Sequence, residues 1–61
     1  MILSKIQIDE DDGFWSDISL RDFEELIENE NMEKEAAELF ARKRKYIKFV
    51  DGTYIRLVWK K

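Results

Sequence analysis

The stretch Tyr46-Ile47-Lys48-Phe49-Val50-Asp51-Gly52-Thr53-Tyr54-Ile55-Arg56-Leu57-Val58-Trp59 decides the fold. Asp-Gly flanked by alternating apolar residues is the strongest short-range signal for a β-hairpin. Two registers compete. A two-residue turn would pair Val50 with Thr53 and set Lys48 beside Ile55 on one face, mixing charge into the core. A three-residue loop, with Gly52 left-handed in a bulge, pairs Phe49 with Thr53 and Ile47 with Ile55. It gathers Ile47, Phe49, Ile55, Leu57 and Trp59 on one face and leaves Tyr46, Lys48, Tyr54, Arg56, Val58 and Lys60 on the other. Patterning selects this second register.

Working outward from the hairpin, the basic run Arg42-Lys43-Arg44-Lys45 precedes it, and an apolar stripe of Met32, Ala36, Leu39 and Phe40 lies further upstream. A second stripe, Leu20, Phe23, Leu26 and Ile27, carries the same helical spacing. At 3.6 residues per turn, with Leu20 at zero, the earlier stripe centres near about 300° and the later near about 150°. One straight helix cannot bury both. The spacing therefore predicts a helix over 20–29 with Ser19 as its cap, a break at 28–31, and a second helix over 32–44 capped by Asn31 and ending on the four cations. Glu38 and Arg42 stand in the favourable i, i+4 order for an ion pair.

Residues 2–8 alternate in the manner of a half-buried strand, with Ile2, Ile6 and Ile8 on the apolar face. Asp9-Glu10-Asp11-Asp12-Gly13 ends it in a polar turn. The reading is an α+β fold of order β-α-α-β-β, with two helices packed on a three-stranded antiparallel sheet and a C-terminal β-hairpin, in one domain over 1–61. Residues 14–18 are a candidate for a short fourth strand. Trp15 and Trp59 are candidates for interface anchors of the kind that dominate binding energy, though in so small a domain they are expected in the core.

The chain has 61 residues, 14 acidic and 11 basic, with no cysteine, histidine or proline. At this size folding hides only roughly 60% of the unfolded surface. Without Cys or His there is neither a disulfide framework nor a structural zinc site, so stability rests on packing or on a partner. The absence of thiols fits a reducing compartment and the expected location is cytoplasmic. The first eight residues read as neither a signal peptide nor a membrane span.

Catalysis is disfavoured. Ser4, Ser16, Ser19 and Thr53 have no His or Cys to activate them or to act in their place. Carboxylate pairs such as Asp11 and Asp12 would need a cleft that shifts their acidity. The acidic turn fails as a calcium loop: with Gly13 at position six, Ile8 would be the first ligand and Ser19 would replace the glutamate at position twelve. No metal site and no cofactor are expected.

The net charge of −3 conceals a strong asymmetry. Residues 1–40 hold 13 acids against three bases, a charge of −10, while residues 41–61 hold eight bases against one acid, a charge of +7. Surface potential of this kind governs encounter with partners. Two opposite readings follow, beside the simple one that the halves neutralise each other on folding. In the leading reading the outer side of the first helix, with Asp22, Glu24, Glu25 and Glu28, imitates a row of phosphates and engages a host protein that acts on nucleic acid. In the alternative, Arg42, Lys43, Arg44, Lys45, Tyr46, Lys48, Tyr54 and Arg56 bind nucleic acid directly through phosphate contacts and base stacking. A winged-helix version is set aside, because a recognition helix opening Met32-Glu33-Lys34-Glu35 would repel DNA. A third possibility is a homodimer that buries a sheet edge or the tryptophans.

Two short resemblances bear on this. The first strand, the turn Asp9-Glu10-Asp11-Asp12-Gly13 and the helix start Ser19-Leu20-Arg21-Asp22-Phe23-Glu24 are similar to the acidic turn and helix start of small phage inhibitors of uracil-DNA glycosylase, which act as DNA mimics. The ten residues Arg21-Asp22-Phe23-Glu24-Glu25-Leu26-Ile27-Glu28-Asn29-Glu30 are similar to a helix in a small bacillar sporulation-checkpoint inhibitor of a histidine kinase. Each covers only part of the chain and no family is assigned from them. Both imply a small protein that acts by binding another protein, and the leading reading is accordingly a noncatalytic binding protein of phage or mobile-element type.

Overall fold

Backbone strain and side-chain sorting meet in the last hairpin. In the computed structural model, which describes all 61 residues, the chain runs β1 (Ile2–Asp9), β2 (Ser16–Ile18), α1 (Leu20–Asn29), α2 (Glu33–Phe40), β3 (Ile47–Lys48) and β4 (Tyr54–Lys60). Ile47 lies opposite Ile55 and Lys48 opposite Tyr54. The Phe49 amide donates to the Thr53 carbonyl at 2.8 Å, and Gly52, at φ +91°, donates to the Phe49 carbonyl at 3.1 Å. This is the three-residue loop expected from patterning. Ile47 and Ile55 are fully buried, Phe49 and Leu57 nearly so, and Val50 projects from the loop with its side chain wholly in solvent.

The sheet has four antiparallel strands in the order β2-β1-β4-β3, rather than the three expected. The extra strand is the short candidate at 14–18, reduced to Ser16–Ile18 and paired with β1 by Ile6 opposite Ile18, Gln7 opposite Asp17 and Ile8 opposite Ser16. Its shortness suits an edge, where a long row of free amides and carbonyls would invite other chains. β1 occupies the centre beside β4, with Ile6 opposite Leu57 and Ile8 opposite Ile55.

The apolar face of β1 departs from simple alternation. A bulge between Leu3 and Lys5 leaves Ser4 without an opposite residue, and a bulge reverses the in-out phase on one side of it. Leu3 therefore packs against the core with Ile6, Ile8 and Trp59, while Ile2, expected inside, is exposed.

Both helices lie on that same face. Ser19 accepts a hydrogen bond from the Asp22 amide at 3.1 Å and starts α1 where the sequence places it. The helix end differs from expectation. Asn31 does not cap α2; it takes the left-handed conformation, at φ +53°, that closes α1. The Met32 amide reaches the Ile27 carbonyl at 2.9 Å and the Asn31 amide reaches Glu28 at 3.2 Å, which is the Schellman pairing that satisfies the last carbonyls. α2 begins at Glu33 with no side-chain cap.

The same device ends α2 early. Arg42 sits at φ +59°, its amide bonded to Leu39 at 3.1 Å and that of Lys43 to Glu38 at 2.9 Å. Arg42, Lys43, Arg44 and Lys45 therefore leave the helix instead of forming its last turn. Local propensity favours continuation, since Ala, Arg and Lys are strong helix formers. A continuing helix would carry the chain away from the sheet, whereas the turn returns it to seat Ile47 in the core. The expected Glu38–Arg42 pair is absent; Glu38 binds Arg44 at 2.8 Å.

The core joins Ile6 of β1, Phe23 and Ile27 of α1, Ala36 and Leu39 of α2, and the inner residues of the hairpin. Phe23 meets Phe40 edge to face at 5.8 Å between centroids. Trp59 packs against this core as expected. Trp15 does not: it lies under the Arg56 guanidinium on the opposite face of the sheet.

The hairpin loop yields two predictions. A methyl group on Gly52 would be held at positive φ, with Asp11 Oδ2 only 3.2 Å away. Gly52→Ala is expected to cost about 1–2 kcal/mol, lowering Tm by roughly 4–8 °C per kcal/mol, whereas Val50→Ser stays within about 0.5 kcal/mol; thermal unfolding followed by circular dichroism checks both. The Thr53 amide donates to Asp51 Oδ1 at 3.0 Å and, with the Thr53 hydroxyl, holds the Asp51 carboxyl below its ordinary value of 3.8. The sign follows: this contribution is fully present above pH 3.8 and is lost as pH falls through the lower folded value. An NMR titration of the Asp51 carboxyl is expected to show a midpoint below 3.8, and one at or above it contradicts the loop geometry.

Candidate functional site

The chain carries its charges in separate places. Fourteen acids and eleven bases form one ion pair, Arg44 with Glu38. Folding therefore does not neutralise the two halves by direct contact.

On α1 the four expected acids, Asp22, Glu24, Glu25 and Glu28, are all exposed, and no cation pairs with any of them. At roughly 100° per residue they span an arc of about 160°, centred opposite the stripe that holds Phe23 and Ile27. They divide between two flanks. Glu24 and Glu28 join Glu33 of α2 at the rim of a groove between the helices, floored by Phe23, Ile27, Ala36 and Phe40. Asp22 and Glu25 face the other way, beside Glu10 and Asn29 over Ile8, Ile18 and Leu26. A neighbouring cleft at the same end of the sheet has Ile8, Leu26 and Phe49 as its floor and Glu10, Glu30, Asp51 and Thr53 around it. Carboxylates thus ring the end of the molecule where β1 finishes and β4 begins.

The turn after β1 occupies part of its own charge. Asp9 Oδ1 accepts from the amides of Asp12 at 3.1 Å and Gly13 at 3.2 Å, and Asp12 Oδ1 accepts from Phe14 at 3.0 Å. Such bonds make Asp a turn former.

The eight residues of the basic alternative are split by the fold. Tyr46, Lys48, Tyr54 and Arg56 share the face of the sheet that carries no helix, as patterning requires. Arg42, Arg44 and Lys45 gather instead at the opposite, helix-covered side, around Met1, Leu39, Leu57 and Trp59. Arg42 donates to Met1 Sδ at 2.8 Å and stands 5.8 Å from the Trp59 ring. Lys43 is exposed in the same loop.

On the open face the side chains are ordered by one another. Arg56 donates through Nε and Nη2 to Gln7 Oε1 at 3.0 and 2.8 Å, and Gln7 Nε2 donates to Asp17 Oδ1 at 3.0 Å. This chain of bonds crosses three strands. Gln7 is only 9% exposed, and with both ends of its amide bonded it escapes the cost of an unsatisfied buried polar group. Arg56 lies 4.1 Å from the Trp15 ring, close enough for a cation–π contact. Tyr46 and Tyr54 meet edge to face at 5.4 Å, and Lys48 Nζ stands 5.7 Å from the Tyr54 ring. Gln7 and Asp17 are not among the residues that the sequence marks as candidates. Gln7 stands opposite Arg56 and Asp17 opposite Gln7, and pairing between such distant segments leaves no local signal.

No helix is long and apolar enough to cross a membrane. Comparison with protein-family models, with curated proteins and with solved structures finds no match for this chain.

Proposed function

We propose that this chain is a noncatalytic binding protein of phage or mobile-element type, acting in the cytoplasm, whose acidic helical layer engages a cationic surface on a host protein that works on nucleic acid. One observation carries the reading: Asp22, Glu24, Glu25 and Glu28 form no ion pair in the folded chain, whose single salt bridge lies elsewhere. Residues 20–40 hold eight acids against Arg21 and Lys34. Unpaired exposed carboxylates repel one another and weaken the fold slightly, a cost that a cationic partner would remove.

The four carboxylates stand in two pairs on the two flanks of α1, Glu24 with Glu28 and Asp22 with Glu25, about 6 and 4.5 Å apart along the helix axis. A rigid helix that holds anions in this way competes for the groove that a basic protein offers to phosphates, and long-range attraction speeds the encounter. Phe40, 39% exposed beside the rim carboxylates Glu24, Glu28 and Glu33, adds apolar area at the edge of that surface.

The test is capture on the immobilised protein from a lysate, followed by elution with duplex DNA. The expected partner is released by the DNA. It is retained at least tenfold less, about 1.4 kcal/mol, by a variant with Asp22→Asn, Glu24→Gln, Glu25→Gln and Glu28→Gln, whose helix propensity is little changed. A partner held equally well by wild type and variant, at matched circular dichroism, would refute the acidic-face reading.

A further inference from the structure

We infer that the open face of the sheet is a binding platform for single-stranded nucleic acid, independent of the acidic helical layer. Lys5 of β1, Lys48 of β3, Tyr54 and Arg56 of β4 lie together on this face, with Trp15 just before β2 and Tyr46 just before β3. Three of the chain's eight aromatic side chains are on this face, turned away from the core. The arrangement accounts for that placement. Every base has a π face, so exposed rings bind unpaired bases with little regard to sequence, while cations between the rings track the phosphates.

The face is already organised for such a ligand. The Gln7 and Asp17 relay locks Arg56 over Trp15. Arginine has five N–H donors; Gln7 takes two and leaves three for a phosphate. Tyr46 is 50% exposed and leans edge-on against Tyr54, presenting ring surface to solvent. Lys48, beside Tyr54, has no carboxylate partner, and neither does Lys5. From β2 to β3 the strands span about 14 Å at 4.8 Å per strand, enough for a short single-stranded segment. Duplex DNA offers no unpaired base to stack. The two-residue β3 also makes the hairpin a short ribbon for a major groove.

Overall negative charge does not forbid this. The α1 carboxylates lie across the core, on a molecule 20 Å through its shortest dimension, whereas surface charges are screened over about 8 Å at physiological salt. The platform also differs from a general basic patch, since Arg42, Arg44 and Lys45 lie on the other side of the molecule.

Fluorescence anisotropy with a labelled twelve-nucleotide oligothymidine tests the inference. Binding is expected in 50 mM salt, weakening about 20-fold by 200 mM if three cations meet phosphates. Tyr46→Ala and Lys48→Ala alter exposed side chains and preserve the fold. Tyr46→Ala should weaken binding at least fivefold, the low end for loss of one stacked base, and Lys48→Ala should flatten the salt dependence. The α1 quadruple variant should bind the oligonucleotide at least as well as wild type. Absence of binding at 50 mM salt would overturn the inference. So would equal affinity for a duplex of the same length, or an affinity lost with Lys43→Ala and Lys45→Ala but kept with Tyr46→Ala.

Discussion

The antiparallel pairing of β1 with β4 is the interaction on which the rest of this structure depends. It joins the first and last segments of the chain, from Ile2 opposite Lys60 to Asp9 opposite Tyr54. Everything else is attached to it: β2 extends its free side through Ile6 and Gln7, and β3 extends the other through Ile55 and Tyr54. Closing so long a loop costs chain entropy before any contact repays it. The repayment is the buried face, where Ile6, Ile55 and Leu57 meet both helices. A sheet with one covered and one open face follows directly, since two short helices can shield only one side.

That asymmetry separates the chemistry of the two surfaces. The helices carry the acids outward, and the hairpin carries its tyrosines, Lys48 and Arg56 on the uncovered face. Burial of the hairpin's apolar row forces the alternate residues to the other side, so this layout is a consequence of core packing. A single ion pair then leaves both surfaces electrostatically unspent. The acidic and basic charges therefore remain largely unpaired in the folded molecule.

Where local physics decides, the sequence was readable. Asp51-Gly52 and the in-out sorting around it specify a loop whose bonds span five residues, and Ser19 marks the start of α1 through a contact three residues away. Where an element's end is set by what it must reach, the sequence misled. Ala41 to Lys45 has helical propensity, yet the chain turns at Arg42 because Ile47 is needed in the core. Asn31 stands at the junction that the sequence marks but closes α1 instead of capping α2, because its tolerance of left-handed backbone outweighs its capping ability there. The candidate sites follow the same division: the four acids of α1 fall on the outer arc that periodicity requires, whereas the basic set divides because half of it sits in a loop whose path is tertiary.

The sequence by itself determined the fold class, the hairpin register, the start of α1 and the opposition of acidic and basic segments, because each rests on side-chain periodicity or on contacts within a few residues. Only the tertiary structure decided the bulge at Ser4, the early end of α2, the pairing of the short fourth strand with β1 and the place of Trp15 beneath Arg56. Each of these depends on pairing across the length of the chain, above all the meeting of Gln7 with Arg56, 49 residues apart. Nothing in the local pattern encodes a partner at that distance; the shape of the shared core does.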